Sequence, residues 1–183
     1  MKKTIVIFGL ISGVISSGLM FATMPFLRNE HGNKALVVGY ASIVLSFLLV
    51  YFGIRSYRDN LGGGEINFAR AFGVGILITL ISCAIYVVSW EIVYFGFKHV
   101  SMDHYYAHMI DKVRASGASD AVIAAKVQEI NHTRRMYENP LINSLMTFIE
   151  PFPVGLVITL LSAAILRKKK PEQQTVHSSV AAA

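Results

Sequence analysis

Two carboxylates set among apolar residues are the groups in this chain best suited to chemistry. Glu91 follows Trp90 at the end of one hydrophobic run, and Glu150 opens Glu150-Pro151-Phe152-Pro153 inside another. An ionised carboxylate in hydrocarbon is expensive, and proline withdraws a donor from the helical ladder. Residues that costly need an offset. One offset is architectural: proline suits the first turn of a helix, and a carboxylate there meets the positive end of the helix dipole. A second is functional: a broken helix frees carbonyls that, with Glu150 and Glu91, hold a cation or proton in an outward-facing cavity. A third is an ion pair that locks helices together, with Arg28, Lys34 and Lys98 as the cations on that side.

Two other groups have residue types suited to chemistry. His104 and His108 are four residues apart, with Asp111 close behind, a spacing that can present metal ligands on one helical face. The zinc-protease pattern needs a Glu beside the first His, and Tyr105 stands there instead. The histidines are therefore read as surface residues, with no metal and no cofactor assigned. The stretch Arg55-Ser56-Tyr57-Arg58-Asp59-Asn60-Leu61-Gly62-Gly63-Gly64-Glu65 is basic and Gly-rich. It lacks the Gly-Lys-Ser/Thr ending of a phosphate-binding loop. It is expected to be a tight reversal, with Arg55 and Arg58 at headgroup level, Asp59 and Glu65 as their partners, and Asn67 capping the next helix. No Ser-His-Asp or Cys-His pattern is legible, so no catalytic residue is named and the chain is read as a non-enzyme.

The elements that must position these residues follow from composition. The chain has 183 residues, 54% of them hydrophobic, and a mean hydropathy of +0.51. Soluble domains hold about 45–50% apolar residues. The excess lies in blocks at about 5–27, 35–54, 71–97 and 141–166, each long enough to cross a hydrocarbon core of about 30 Å. The fold class expected is all-α: an integral membrane four-helix bundle, one domain over 1–170, with a disordered tail at 171–183. Cys83 is the single cysteine and excludes an intrachain disulfide. The net charge of +6 reflects membrane topology and lipid headgroups rather than nucleic acid, because the cations form no single stripe interleaved with aromatics.

Orientation follows from where the cations fall. Lys2 and Lys3, Arg55, Arg58 and Arg70, and Arg167 to Lys170 share one side of a four-span chain, against Arg28 and Lys34 in the first connection. Short basic segments stay cytoplasmic, so both termini are expected there. A cleaved leader is the rival reading of the first block. Its apolar run exceeds the usual length of about 7–15 residues, and Met20 suits a cleavage site after Ala22 poorly.

The connection at 99–139 is the one extramembrane segment of size, an amphipathic helical hairpin on the extracytoplasmic side between spans three and four. Its first helix is expected to face inward through Tyr105, Met109, Ile110 and Val113 and to end at Gly117. Ser119 is the expected N-cap of the second. In the first span, Gly9, Gly13 and Ser17 recur every four residues and make a close-approach face, for packing within the bundle or for a homodimer. Gly155, Thr159 and Ala163 repeat that device in the last span. At about 1.5 Å per residue, counting outward from Phe72 sets Glu91 near the outer boundary, and counting back from Leu166 sets Glu150 about a turn below it, close enough for the two carboxylates to share a depth.

Four stretches together resemble the DUF4199 family of bacterial membrane proteins, common in Bacteroidetes. They are Phe52-Gly53-Ile54-Arg55-Ser56-Tyr57-Arg58-Asp59, the run from Phe68 to Gly75, Tyr137-Glu138-Asn139-Pro140, and Glu150-Pro151-Phe152-Pro153-Val154-Gly155. The resemblance covers nearly everything but the tail. It implies four helices with a helical insertion before the last, and an inner-membrane location in a Gram-negative cell. It brings no activity, cofactor or catalytic residue with it. The function expected is a structural or partner-binding membrane component; the alternative is a small transporter or channel-like protein with an outer-leaflet carboxylate site.

Overall fold

A computed structural model describes residues 2–29, 33–96 and 102–168, with the backbone alone for 24–29 and 33–36. All the regular structure described is helical: α1 (Lys2–Asn29), α2 (Asn33–Leu61), α3 (Phe68–Gly96), α4 (Asp103–Arg114), α5 (Asp120–Tyr137), α6 (Pro140–Ile149) and α7 (Phe152–Leu166). Four segments are long and apolar enough to cross a membrane: Lys2–Thr23, Val37–Leu61, Phe68–Gly96 and Pro140–Leu166. The tail at 171–183 and the side chains of Arg28, Lys34 and Lys98 lie outside the described residues.

The bundle is a rhombus in section. α1 packs on α2 and α3, α7 packs on α2 and α3, and α2 touches α3 across the short diagonal. Small residues set these distances. A Cβ on Gly9 would stand 2.8 Å from Ile81, and one on Gly13 would stand 2.7 Å from Ile85. The close-approach face of α1 is therefore filled by α3 of the same chain. At Gly155 a Cβ would lie 2.5 Å from Thr79 Cγ2 and 3.0 Å from the Phe47 ring. Phe47, Val50, Ile54 and Ile78 fill the centre. Buried hydroxyls stitch the helices: Ser12 donates to the Ser46 carbonyl at 2.9 Å, Ser82 to the Gly9 carbonyl at 3.2 Å, and Thr79 and Thr159 share a bond of 2.9 Å. Between packed helices such bonds help to offset the missing hydrophobic drive.

At the basic end, α2 continues to Leu61, past the expected stop near residue 54. No glycine or proline interrupts the helix between Ile54 and Gly62, and Arg55 and Asp59, one turn apart with 3.6 Å between Nε and Oδ2, add modest support. The reversal falls on Gly63 and Gly64, whose φ of 64° and 84° suits glycine. Asn67 caps α3 as expected, its Oδ1 accepting from the Arg70 amide at 2.8 Å. The amide of Lys168 then donates to the Ile66 carbonyl at 2.9 Å. That bond sets the end of α7 beside the start of α3.

At the far end, α4 and α5 pair as the expected hairpin, reversing at Gly117 with φ of 70°. Arg134 Nη2 meets Asp103 Oδ1 at 2.6 Å, and the Arg134 guanidinium lies 5.8 Å from the Tyr106 ring centre. The hairpin's acids equal its bases in number: Asp103, Asp111, Asp120, Glu129 and Glu138 against Lys112, Arg114, Lys126, Arg134 and Arg135. Ser119 holds the N-cap position of α5, as expected, with no capping bond through its side chain. One local expectation needs correction. Tyr105 is 49% exposed, and Tyr106 is the buried tyrosine. Met109, Ile110 and Val113 are half-buried on α4, which pairs with α5, whereas Tyr106 joins Tyr94 of α3 in one buried cluster.

Candidate functional site

Apart from the hydroxyls between the long helices, a second group of buried and half-buried polar residues gathers where α3, α5 and α6 meet. α6 exists as a separate helix because Pro151 cannot continue the ladder, and the pair Glu150-Pro151 forms the joint with α7. Asn139 starts α6: its Oδ1 accepts from the Leu141 amide at 3.0 Å and the Ile142 amide at 3.3 Å, with Pro140 at the first helical position. At about 1.5 Å per residue, the fifteen residues of α7 raise the joint about 22 Å from the basic end. That is within, and near the top of, a hydrocarbon core of about 30 Å.

Asn143 is the hub. It is fully buried. Its Oδ1 accepts from Trp90 Nε1 at 2.8 Å and from Thr147 Oγ1 at 3.2 Å, and its Nδ2 donates to the Tyr137 carbonyl at 3.0 Å. One side chain thus ties α3, α6 and the end of α5. Beside it lies an aromatic cluster: buried Tyr94, Met102 and Tyr106, with Trp90, Ile130 and Tyr137 packed against them. Tyr94 stands 6.0 Å from Trp90 and 6.2 Å from Tyr137 between ring centres. Burial pushes the Tyr106 phenol above its usual range, and Tyr94 beside it adds to that.

The two carboxylates are both in this region, at different levels. Glu91 accepts from Ser144 Oγ at 3.0 Å. Glu150 accepts from the Tyr86 hydroxyl at 3.5 Å. Tyr86 and Glu91 are five residues apart on α3, about 7.5 Å along the axis. α3 and α6 run antiparallel, so the later residue on α6 meets the earlier one on α3, and the two carboxylates lie slightly further apart in level than the one turn expected. Pro151 is fully buried, and Pro153 is exposed. The Pro151 carbonyl accepts the first helical bond of α7, from the Gly155 amide at 3.0 Å. The joint therefore works geometrically, while the Glu150 carboxylate spends its bond on Tyr86.

Of the remaining residues singled out, Arg55, Arg58 and Asp59 come together at the opposite end. Asp59 takes Arg58 at 2.7 Å as well as Arg55. His104 and His108 are exposed on α4, and the described residues hold no cluster of metal-ligand type. Asn143, Tyr86 and Tyr106 were not foreseen. The available signal was Asn143 and Thr147 one turn apart within an apolar segment, since buried polar groups there must find partners.

The comparison with known families decides what this architecture is. The model described as "Protein of unknown function (DUF4199)" matches residues 7–168. The chain belongs to the DUF4199 family. The match takes in most of the first span, the other three spans and the hairpin, so the DUF4199 unit is the bundle with its helical insertion. No curated protein and no solved structure matches the chain.

Proposed function

We propose that this DUF4199 protein is a structural, partner-binding component of a bacterial inner membrane, with both termini in the cytoplasm and the α4–α5 hairpin outside as its docking surface. The observation that carries this is the way the hairpin is held. Asn143, Trp90 and the Tyr94–Tyr106 cluster fix it to the ends of α3 and α6. Its outward face still presents Tyr105, His104 and His108. A rigidly mounted aromatic surface loses little entropy on binding. The reading is of a component without catalysis of its own, in which Glu91, Asn143, Ser144 and Thr147 serve to hold the helices together. A homodimer is one form the partner could take, but a dimer through Gly9, Gly13 and Ser17 would have to displace α3 from α1. Photocrosslinking from position 105 in intact cells tests the proposal. It predicts a discrete adduct that is lost when Asn143→Ala loosens the hairpin. Adducts no different from those formed at lipid-facing Leu145 would overturn it.

One observation favours a second reading, a small transporter or channel-like protein. Glu150 is exposed at membrane depth with the Tyr86 hydroxyl beside it. In proteoliposomes that reading requires Glu150→Gln to abolish a proton- or cation-dependent flux. The same flux in wild type and variant would remove it.

A further inference from the structure

We propose that the edge formed by the start of α3 and the end of α7 binds the phosphates of anionic phospholipid headgroups. The bond from the Lys168 amide to the Ile66 carbonyl, 2.9 Å, sets Arg167 and Lys168 against the residues that begin α3. The Asn67 cap fixes the first turn of that helix, which carries Arg70. Arg70, Arg167 and Lys168 are all exposed, and among the described residues none of them has an ion pair. Arg55 and Arg58 at the same end differ, because Asp59 holds both. The hairpin at the far end differs again, with bases and acids in equal number. Among the described residues Glu65, beside Ile66, offsets one of these charges, so the edge keeps an excess of cations at one bilayer face.

The chemistry at this edge suits a lipid better than free phosphate. Phe68, 40% exposed, stacks on Phe72 with ring centres 6.3 Å apart, in the first turns of the span that begins at Phe68. A lipid can place its phosphate on the three cations and its glycerol and upper chain on this aromatic pair. Inorganic phosphate can use the cations alone. Basic residues beside a span draw anionic lipids with roughly a fivefold gain in affinity for each cation near the surface.

The test is thermal unfolding of the full chain in mixed micelles containing phosphatidylglycerol or phosphatidylcholine, with inorganic phosphate as a third arm. The proposal predicts a higher Tm with phosphatidylglycerol than with phosphatidylcholine, weakened by added salt. In R70Q/R167Q/K168Q the concentration of phosphatidylglycerol needed for half of that rise should increase by at least roughly tenfold. The hairpin control K126Q/R135Q should respond as wild type. Should the triple variant fail to insert, R70Q alone should need roughly fivefold more lipid. Equal stabilisation by the two lipids overturns the proposal. So does an unchanged response in the edge variants, an equal loss in the hairpin control, or inorganic phosphate reproducing the rise.

Discussion

Asn143→Ala is the substitution that bears most directly on how the hairpin is mounted. It removes the acceptor of the Trp90 indole N–H at 2.8 Å and the donor to the Tyr137 carbonyl at 3.0 Å. Thr147 loses a partner at 3.2 Å too, but its hydroxyl can turn to a carbonyl of its own helix. Interhelical hydrogen bonds in membrane proteins average about 0.6 kcal/mol and reach about 1.7. A buried polar group left without a partner costs about 1–3 kcal/mol. Trp90 is only half-buried, so water can satisfy part of its loss. Two bonds near the upper end of the first range, with partial rescue at the indole, give about 2 kcal/mol. Trp90 is the only tryptophan, so its fluorescence reports the site alone. Unfolding by sodium dodecyl sulfate in mixed micelles should show the loss of about 2 kcal/mol, and the folded-state emission should shift red as the indole meets water. A cycle with Trp90→Phe should return a coupling of about 0.5–1.5 kcal/mol. Stability within about 0.5 kcal/mol of wild type together with unchanged emission would refute the hub argument.

Other substitutions separate close packing from open surface. Gly155→Val puts side-chain atoms into Thr79 and Phe47 and should cost well over about 2 kcal/mol or prevent folding, read by the same denaturation. Gly73→Ala meets nothing within 4 Å and should stay within about 0.5 kcal/mol of wild type. Asp103→Asn breaks a contact of 2.6 Å to Arg134 whose side chains are 35% and 36% exposed, so the loss should be under about 1 kcal/mol and should shrink with salt. The Tyr106 phenol is held above its usual value of 10.0, so its contribution to docking is complete below that pH and is lost as pH rises beyond it. Hydrogen exchange of α4 should therefore quicken in alkali, and Tyr106→Phe should flatten that response. Exchange independent of pH after correction for its chemical rate would contradict the assignment.

Sequence legibility was uneven for physical reasons. The four apolar blocks were plain because burial in a bilayer demands length and hydropathy together. The reversal at Gly62-Gly63-Gly64, the Asn67 cap and the break at Glu150-Pro151 were legible because each rests on a local backbone rule. Tyr105 against Tyr106 was not, since periodicity names a hairpin's own seam and cannot tell which side a third helix will cover. Glu91 and Glu150, expected about one turn apart in level, are separated by nearer one and a half turns. Counting along separate spans ignores the joint at Pro151, which gives α6 its own register on α3. Asn143 was hidden for a related reason: its partners, Trp90 and Tyr137, come from two other helices.

Topology is the measurement that tests the account's centre most directly. Cys83 is the only cysteine and is buried, so single cysteines introduced into the native chain can be read with a membrane-impermeant maleimide. Ser116 sits in the exposed hairpin turn, and Asn60 is exposed at the basic end of α2. The account predicts that Ser116→Cys labels from outside intact cells and that Asn60→Cys labels only after permeabilisation. Labelling of Asn60→Cys from outside, with Ser116→Cys protected, would reverse the orientation and remove the hairpin as an extracytoplasmic docking surface.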